Sequence, residues 1–276
     1  MKISLFCASI RPHNWERLLN SLKKNTVEYE VVMAGFIDDE MVRDVAPGYN
    51  EFRYIKTENI KPAQAYEVAR RACKGAYVMW ISDDCEFPEG YLDKIYNHIN
   101  ALPSSVLLAC QTEDPECVEN DLNTHRFFAR NLNTPLVAQV GCMSRMQLEQ
   151  FGGFDRKYIF GKFETDLSMR VCAEGGRVVP YTEQTIKIEH SNKNGHLNND
   201  WSGVNEDSEA IEKTWVVGGY KDLPQGIMVW GQGQPTFYWP VINREVTLKR
   251  QDAFEPYEDK DILTISQGGN IPGRWV

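Results

Sequence analysis

The chain has 276 residues and a mass of 31.7 kDa, which is long enough for one large domain with a tail. Hydrophobic residues make up 42% and charged residues 25% of the sequence, a globular composition that excludes disordered and fibrous classes. The net charge of -9 disfavours a nucleic-acid partner, because binding along phosphates depends on clustered Lys and Arg.

No stretch of the sequence predicts export or membrane insertion. No early segment joins a basic flank to an apolar run, and none approaches the roughly 18 to 20 apolar residues that span a bilayer. The seven cysteines form no Cys-x-x-Cys pair that would suggest zinc, and their odd number and scatter favour reduced thiols. We therefore expect a cytoplasmic protein, with peripheral membrane contact and oligomeric state left open.

The first part of the chain alternates predicted strands and helices. Short apolar runs predict strands at residues 3–8, 29–34, 52–55, 77–81 and 106–109. Helices are predicted to start near Asn14, at Pro62 with Gly75 as the C-cap, and around Tyr91. Because the run 77–81 is apolar on both faces, it is typical of a central strand in an open α/β sheet.

The pattern continues more weakly in the second part of the chain. The sequence predicts a strand at 137–142, a turn-rich loop at 151–155, a helix at 164–174 and strands at 177–180 and 185–189. From about Asn192 no clear period remains. We therefore predict a first domain over residues 1–191 and a C-terminal extension of uncertain fold over residues 192–276.

Polar residues follow several of the predicted strands. Loops at the carboxyl ends of the strands of such a sheet converge on one crevice, where ligands bind. The residues on these loops are Arg11, Asp38, Asp39, Asn59, Asp83 and Asp84. An isolated Asp83-Asp84 pair would more often be a helix cap beside a solvated side chain. It is also what would hold a hard divalent cation against a diphosphate.

Two segments resemble one known family. Residues 77–92, YVMWISDDCEFPEGYL, are similar to the metal-binding segment of GT-A-fold glycosyltransferases, particularly the family 2 group. Residues 152–155 and 163–170 resemble that group's acceptor loop and acidic catalytic motif, in the same order and at similar separation. The resemblance covers about residues 1–190. It implies a GT-A, Rossmann-like open mixed sheet flanked by helices, with Mn²⁺ or Mg²⁺ as cofactor.

The resemblance implies a role for each matching residue. Asp84 matches the metal ligand and Asp83 the centre of the motif, while Ser82 stands where an aspartate often lies. Glu164 takes the place of the general base, and Asp166 is either a second catalytic acid or a first-turn acid favoured by the helix dipole. The remaining assignments are Arg11, Asp38, Asn59, Pro62 and Asp83 for the donor, Gly153, Phe154 and Asp155 for the acceptor, and His190 with Asp84 for the metal.

Two departures from the family pattern leave the donor open. Residues 33–36 replace an aspartate that commonly reads the base, and Tyr66-Glu67 replaces a usual Arg-Asn pair. We expect metal-dependent, inverting transfer from a nucleotide sugar, a UDP-sugar by analogy with the group, to the hydroxyl of a glycan or another acceptor. We expect the C-terminal extension to serve the acceptor side or oligomerisation.

Two other functions remain as alternatives. A sugar-nucleotide pyrophosphorylase is disfavoured, because residues 4–12 contain no glycine for a phosphate-binding loop. A catalytically degenerate module that binds a nucleotide or glycan without turnover has its best support in Ser82, Ala34 and Glu164. Release of nucleoside diphosphate from a nucleotide sugar would distinguish the enzyme from this module.

Overall fold

A computed structural model of the protein describes residues 1–45, 48–58, 60–113, 125–126, 128–129, 136–189, 202–218 and 247–260. The strands are β1 (Ile3–Ala8), β2 (Tyr29–Gly35), β3 (Phe52–Lys56), β4 (Tyr77–Trp80), β5 (Cys85–Glu86), β6 (Val106–Glu113), β7 (His125–Arg126), β8 (Phe128–Ala129), β9 (Leu136–Val137), β10 (Gly141–Ser144), β11 (Arg177–Ile188), β12 (Trp215–Gly218) and β13 (Thr247–Arg250). The helices are α1 (Trp15–Leu22), α2 (Asp39–Val45), α3 (Pro62–Arg71), α4 (Tyr91–Asn100), α5 (Arg145–Gln150), α6 (Phe163–Ala173) and α7 (Ser202–Thr214).

The main sheet is mixed and open. Its strand order is β3-β2-β1-β4-β10-β6-β11-β5, with β7 paired to β6. Strands β3, β2, β1 and β4 run parallel, β10 is antiparallel to both β4 and β6, and β11 is parallel to β6. The predicted fold class, an open mixed sheet flanked by helices, is confirmed.

Strand β4 lies in the middle of this sheet and is buried on both faces. Val78 and Trp80 belong to one hydrophobic core, while Met79 and Ile81 belong to the core on the other face. This two-sided burial explains the unbroken apolar run from which the strand was predicted. Because Phe6 of β1 stands opposite Trp80, the chain leaves both strands at the same edge.

Three of the predicted features of local structure are corrected by the structure. Helix α3 ends before Gly75, so Gly75 is not its C-cap. The Gly75 N–H donates to Ser4 Oγ over 2.7 Å, and a Cβ added at Gly75 would lie 2.6 Å from Ser4 N. The strand predicted over 137–142 is divided between β9 and β10. The two strands predicted after α6 are one, β11, with an irregular register between Tyr181 and Ile186.

The described parts of the C-terminal region pack onto the main core. Strands β12 and β13 form an antiparallel pair, and Ile211, Trp215 and Tyr257 share the hydrophobic cluster that contains Leu167 of α6. Within the ranges described, no helix combines the length and apolar character needed to cross a membrane. Among the described residues the six cysteines form no disulfide bond, and Cys117 lies outside those residues.

Candidate active site

Strands β1 and β4 deliver polar side chains to one point. Ser9, which follows β1, donates from Oγ to Asp83 Oδ2 over 2.6 Å. Trp15 Nε1 donates to the same Ser9 Oγ over 2.6 Å, and the Tyr54 hydroxyl donates to the Ser9 carbonyl over 3.0 Å. Neither Ser9 nor Trp15 was predicted as a site residue. The signal available was the position of Ser9, directly after a strand and two residues before Arg11.

Arg11 lies across both predicted aspartates. Its Nε donates to Asp83 Oδ2 over 3.2 Å, and its Nη2 donates to Asp83 Oδ1 and, over 3.2 Å, to Asp84 Oδ2. Asp83 is 1% and Asp84 3% exposed. Burial raises the pKa of Asp83, and the Arg11 charge opposes that rise. Burial alone would lower the pKa of Arg11, but the charges of Asp83 and Asp84 together raise this pKa by more than burial lowers it. The guanidinium therefore stays charged.

The end of β11 lies beside Asp84. The Glu189 N–H donates to the Asp84 carbonyl over 3.0 Å. Arg17 Nη2 donates to the carbonyls of Asp84 (3.1 Å) and Glu189 (2.9 Å), which joins α1 to both segments. Two predicted site residues, His190 and Asn59, lie outside the described residues. The metal-ligand and donor roles given to them stay predictions.

The first turns of α3 and α6 meet near the end of β4. Pro62 begins α3, and the next N–H, that of Ala63, donates to the Ile159 carbonyl over 3.1 Å. The ring of Tyr66 lies 4.9 Å from that of Phe163 at the start of α6, and its hydroxyl donates to the Ile81 carbonyl over 2.6 Å. Tyr66 therefore connects the end of β4 to α6, the helix that carries Glu164.

Glu164 lies in the first turn of α6 and is half-buried. Its Oε2 is a buried oxygen that has no hydrogen-bond partner among the described residues. Burial raises the pKa of Glu164, a backbone N–H bond and the Lys162 charge oppose the rise, and Asp207 adds to it. A carboxylate in this state binds a proton more readily than an exposed glutamate.

Asp166, in the first turn of α6, is fully buried, and both of its carboxylate oxygens accept hydrogen bonds. Its Oδ2 accepts from Arg170 Nε over 2.7 Å. Its Oδ1 accepts from Trp215 Nε1 over 2.9 Å and from Arg250 Nη1 over 2.8 Å. The catalytic role of Asp166 stays a prediction, and three donors on two oxygens favour a supporting role instead.

The predicted acceptor loop is well packed. Gly152 and Gly153 have φ angles of 80° and 76°, which favour glycine. Phe154 is fully buried with its ring 4.7 Å from that of Phe163, and Asp155 is fully buried against Arg250 and Lys157. The acceptor role of Gly153, Phe154 and Asp155 stays a prediction, and the burial of the last two favours a part in shaping this loop.

Asp38 follows β2 at the same edge of the sheet but stands apart. Its side chain is 80% exposed and pairs with Lys56 over 3.2 Å. Among the described residues, no hydrogen bond or ion pair joins its side chain to Arg11, Asp83 or Asp84. The structure thus brings Arg11, Asp83 and Asp84 together and leaves Asp38 at the rim.

The carboxylates fit a divalent cation that arrives with a diphosphate. They already hold one cation between them, the Arg11 guanidinium, and they offer the hard oxygen donors that Mg²⁺ and Mn²⁺ prefer. Within the described ranges, no group of three or more His, Cys, Asp and Glu residues could hold a metal ion alone. Mg²⁺ commonly uses one or two carboxylates and completes its shell with substrate phosphates and water.

Three solved structures share the fold. TarS 1-349 of S. aureus is 15% identical over 68% of this chain and 60% of its own (TM-score 0.53). The Pyrobaculum calidifontis mannosyltransferase PcManGT, solved with GDP-Man and Mn²⁺, is 18% identical over 70% and 58% (TM-score 0.53). GalNAc-T7, solved with UDP, GalNAc and Mn²⁺, is 11% identical over 78% and 48% (TM-score 0.60). The chain therefore spans 60% or less of the length of these chains.

The sequence comparisons identify the family. No curated protein matches the chain. Residues 11–159, more than half of the 276, match the model of glycosyl transferase family 2. This segment contains Arg11, Asp83 and Asp84. The chain belongs to glycosyl transferase family 2.

Proposed function

We propose that the protein is a metal-dependent glycosyltransferase that moves a sugar from a nucleotide sugar, a UDP-sugar, to an acceptor hydroxyl with inversion. One observation carries the proposal: two buried carboxylates and Arg11 meet at the carboxyl end of β4. Family membership supports it, as do the nucleotides and Mn²⁺ in the structures of PcManGT and GalNAc-T7. We place the reaction in residues 1–191 and the acceptor side in residues 192–276.

On the donor side, the residues bind and orient the nucleoside diphosphate. Asp84 supplies the protein carboxylate for Mn²⁺ or Mg²⁺, with His190 as a second ligand. When bound, such an ion would supply positive charge against the negative charge that develops on the leaving diphosphate. Asp83 holds Arg11, whose positive charge faces the same diphosphate. We assign contacts with the nucleotide to Asp38 at the rim, to Asn59 and to Pro62 at the start of α3.

On the acceptor side, Glu164 acts as the general base. Its Oε2 takes the proton of the acceptor hydroxyl while that oxygen bonds to the anomeric carbon and the bond from this carbon to the diphosphate breaks. Attack from the face opposite the diphosphate inverts the configuration. Burial favours the protonated form of Glu164 and so makes its carboxylate a stronger base. The loop at Gly153, Phe154 and Asp155 shapes the acceptor side.

The test is release of nucleoside diphosphate from a panel of nucleotide sugars with Mn²⁺ or Mg²⁺. The wild-type protein should release diphosphate from at least one donor, and Asp84→Asn should lose most of that release. The control is Glu183→Gln, which removes a carboxylate paired with His98 at the surface. Release from no donor would contradict the proposal and favour a nucleotide-binding module.

A further inference from the structure

Arg11 contacts the two aspartates in different ways. With Asp83 it forms a fork, because Nε and Nη2 each reach a different carboxylate oxygen. With Asp84 it makes a single contact, from Nη2 to Oδ2 over 3.2 Å. The same Nη2 also donates to Asp83. Paired bonds from guanidinium to carboxylate are the stronger arrangement. The contact with Asp84 is therefore the weaker of the two.

Asp83 is committed to holding Arg11. One of its oxygens, Oδ1, accepts from Arg11, and the other, Oδ2, accepts from both Ser9 Oγ and Arg11 Nε. Both oxygens are thus engaged, and the side chain is 2% exposed. A cation entering at this edge would compete with Arg11 for Asp84 rather than for Asp83.

The backbone of Asp84 is held independently of Arg11. Its carbonyl accepts from the Glu189 N–H and from Arg17 Nη2, so contacts from β11 and α1 fix the backbone at this point. The Arg11 side chain is 24% exposed, so part of it reaches solvent. Arg11 can therefore move while the backbone of Asp84 keeps its position.

We propose that Arg11 is a built-in competitor of the divalent cation: it occupies Asp84 until a nucleoside diphosphate offers its own oxygens, so that metal and diphosphate bind together. The inference rests on the proposed function, because it takes Asp84 as the metal ligand. A diphosphate presents several acceptor oxygens to a guanidinium that remains forked on Asp83. The protein then binds the metal weakly when no nucleotide is present.

The test measures Mn²⁺ binding to the full chain from the electron paramagnetic resonance signal of free Mn²⁺. In Arg11→Gln, which keeps a polar side chain without the charge, Mn²⁺ alone should bind about tenfold more tightly than in wild type. Arg11→Lys should give a smaller increase, because an ammonium group cannot fork between two carboxylates. Added UDP should tighten Mn²⁺ binding more in wild type than in Arg11→Gln.

The matched control is Arg53→Gln. Arg53 also pairs with a buried carboxylate, that of Glu30, over 2.9 Å, so its loss changes the net charge equally without touching the site. It should leave Mn²⁺ binding unchanged. Circular dichroism establishes that each variant is folded, and Arg11→Lys carries the test if Arg11→Gln unfolds.

The outcomes separate the inference from the proposed function. If neither Arg11 variant binds Mn²⁺ alone more tightly than wild type, while UDP-dependent binding still requires Asp84, the inference is overturned and the metal site stands. If Arg11→Gln and its double variant with Asp84→Asn bind Mn²⁺ equally, the ion lies elsewhere, and the proposed metal site fails with the inference.

Discussion

Glu164 combines two features that a structural carboxylate rarely keeps. Its Oε2 is buried without a hydrogen-bond partner among the described residues, and burial raises its pKa. The first turn of a helix normally favours the ionised form of an acid, so burial works against the dipole here. Such a group costs stability when it is ionised. A role as proton acceptor would account for both features.

The Glu164→Gln variant should lose activity without losing stability. We expect kcat/KM for acceptor to fall by about 10² to 10⁴, the range for a lost general base, with UDP binding unchanged. Because the amide is neutral at every pH, the thermal midpoint at neutral pH should stay the same or rise. The measurement pairs steady-state kinetics with thermal unfolding. Retained activity in this variant would remove Glu164 as the base.

The wild-type pH profile gives a second readout of the same residue. The base works only when deprotonated, so kcat/KM should fall as the pH drops through the raised pKa of Glu164, above the usual value of 4.5. The acid limb of the profile should disappear in the residual activity of Glu164→Gln. An acid limb that is unchanged in this variant would belong to another group.

At the level of elements, the packing between the carboxyl ends of β1 and β2 requires a glycine at position 35. A Cβ at Gly35 would lie 2.3 Å from the Ser9 carbonyl oxygen and 2.6 Å from the Tyr54 hydroxyl. Gly35→Ala should therefore displace Ser9, lower the free energy of unfolding by about 1 to 3 kcal/mol and weaken UDP binding. Gly48→Ala is the control, since no described atom lies within 4 Å of its added Cβ. Equal urea midpoints for the two variants would refute this role of Gly35.

A second element-level dependence links β13 to α6. Arg250 bonds to the fully buried carboxylates of Asp155 and Asp166. Arg250→Met removes that positive charge and leaves the negative charges of Asp155 and Asp166 with fewer partners. The free energy of unfolding should fall by about 3 to 5 kcal/mol. The exposed neighbour Lys249 provides the control Lys249→Met. Urea unfolding measures both, and a loss under 1 kcal/mol for Arg250→Met would mean that the pairs contribute little.

The elements that were predicted well have local signals. The strand at residues 3–8 matches β1, because its apolar run ends abruptly before Ser9 and Arg11. Helix α3 begins at Pro62 as expected for a residue that needs no N–H partner in the first turn. Gly75 was misjudged because its requirement comes from Ser4, 71 residues away in the chain. Such close approaches leave no local pattern.

The convergence of the candidate site residues could be predicted only in part, for the same reason. Arg11, Asp83 and Asp84 follow strand ends, so the topology of a parallel sheet brings them together. The bonds that organise them involve Ser9, whose position after β1 was the one available signal, and Trp15 and Tyr54, whose types and spacing carry no signal of their own. The full engagement of Asp166 depends on Trp215 and Arg250, which come from the region where the sequence pattern is weakest.

At the scale of the whole molecule, the described C-terminal segments hold the loop over residues 157–161 that leads into α6. Asp207 of α7 is fully buried and accepts from the N–H groups of Ile159, Phe160 and Gly161, just before α6. Lys157, at the start of that loop, pairs with Asp252 over 2.5 Å. The region predicted as an extension therefore completes the core around Glu164.

A protein truncated after residue 191 tests this dependence. Loss of Asp207, Trp215 and Arg250 would leave buried N–H groups and carboxylates without partners, so residues 1–191 should unfold at a lower temperature than the full chain or fail to fold cooperatively. Thermal unfolding followed by circular dichroism measures the difference. An unchanged midpoint for the truncated protein would instead support an independent domain ending near residue 191.

Calorimetric titration of UDP and GDP into wild-type protein and Asp84→Asn, with and without Mn²⁺, tests the central claim most directly. If Asp84 holds the cation against the diphosphate, Mn²⁺ should strengthen binding of at least one nucleotide to the wild-type protein. Asp84→Asn should lose that gain while remaining folded. A nucleotide affinity that Mn²⁺ does not change in wild type, or an Mn²⁺-dependent gain in affinity that remains in Asp84→Asn, would contradict the account.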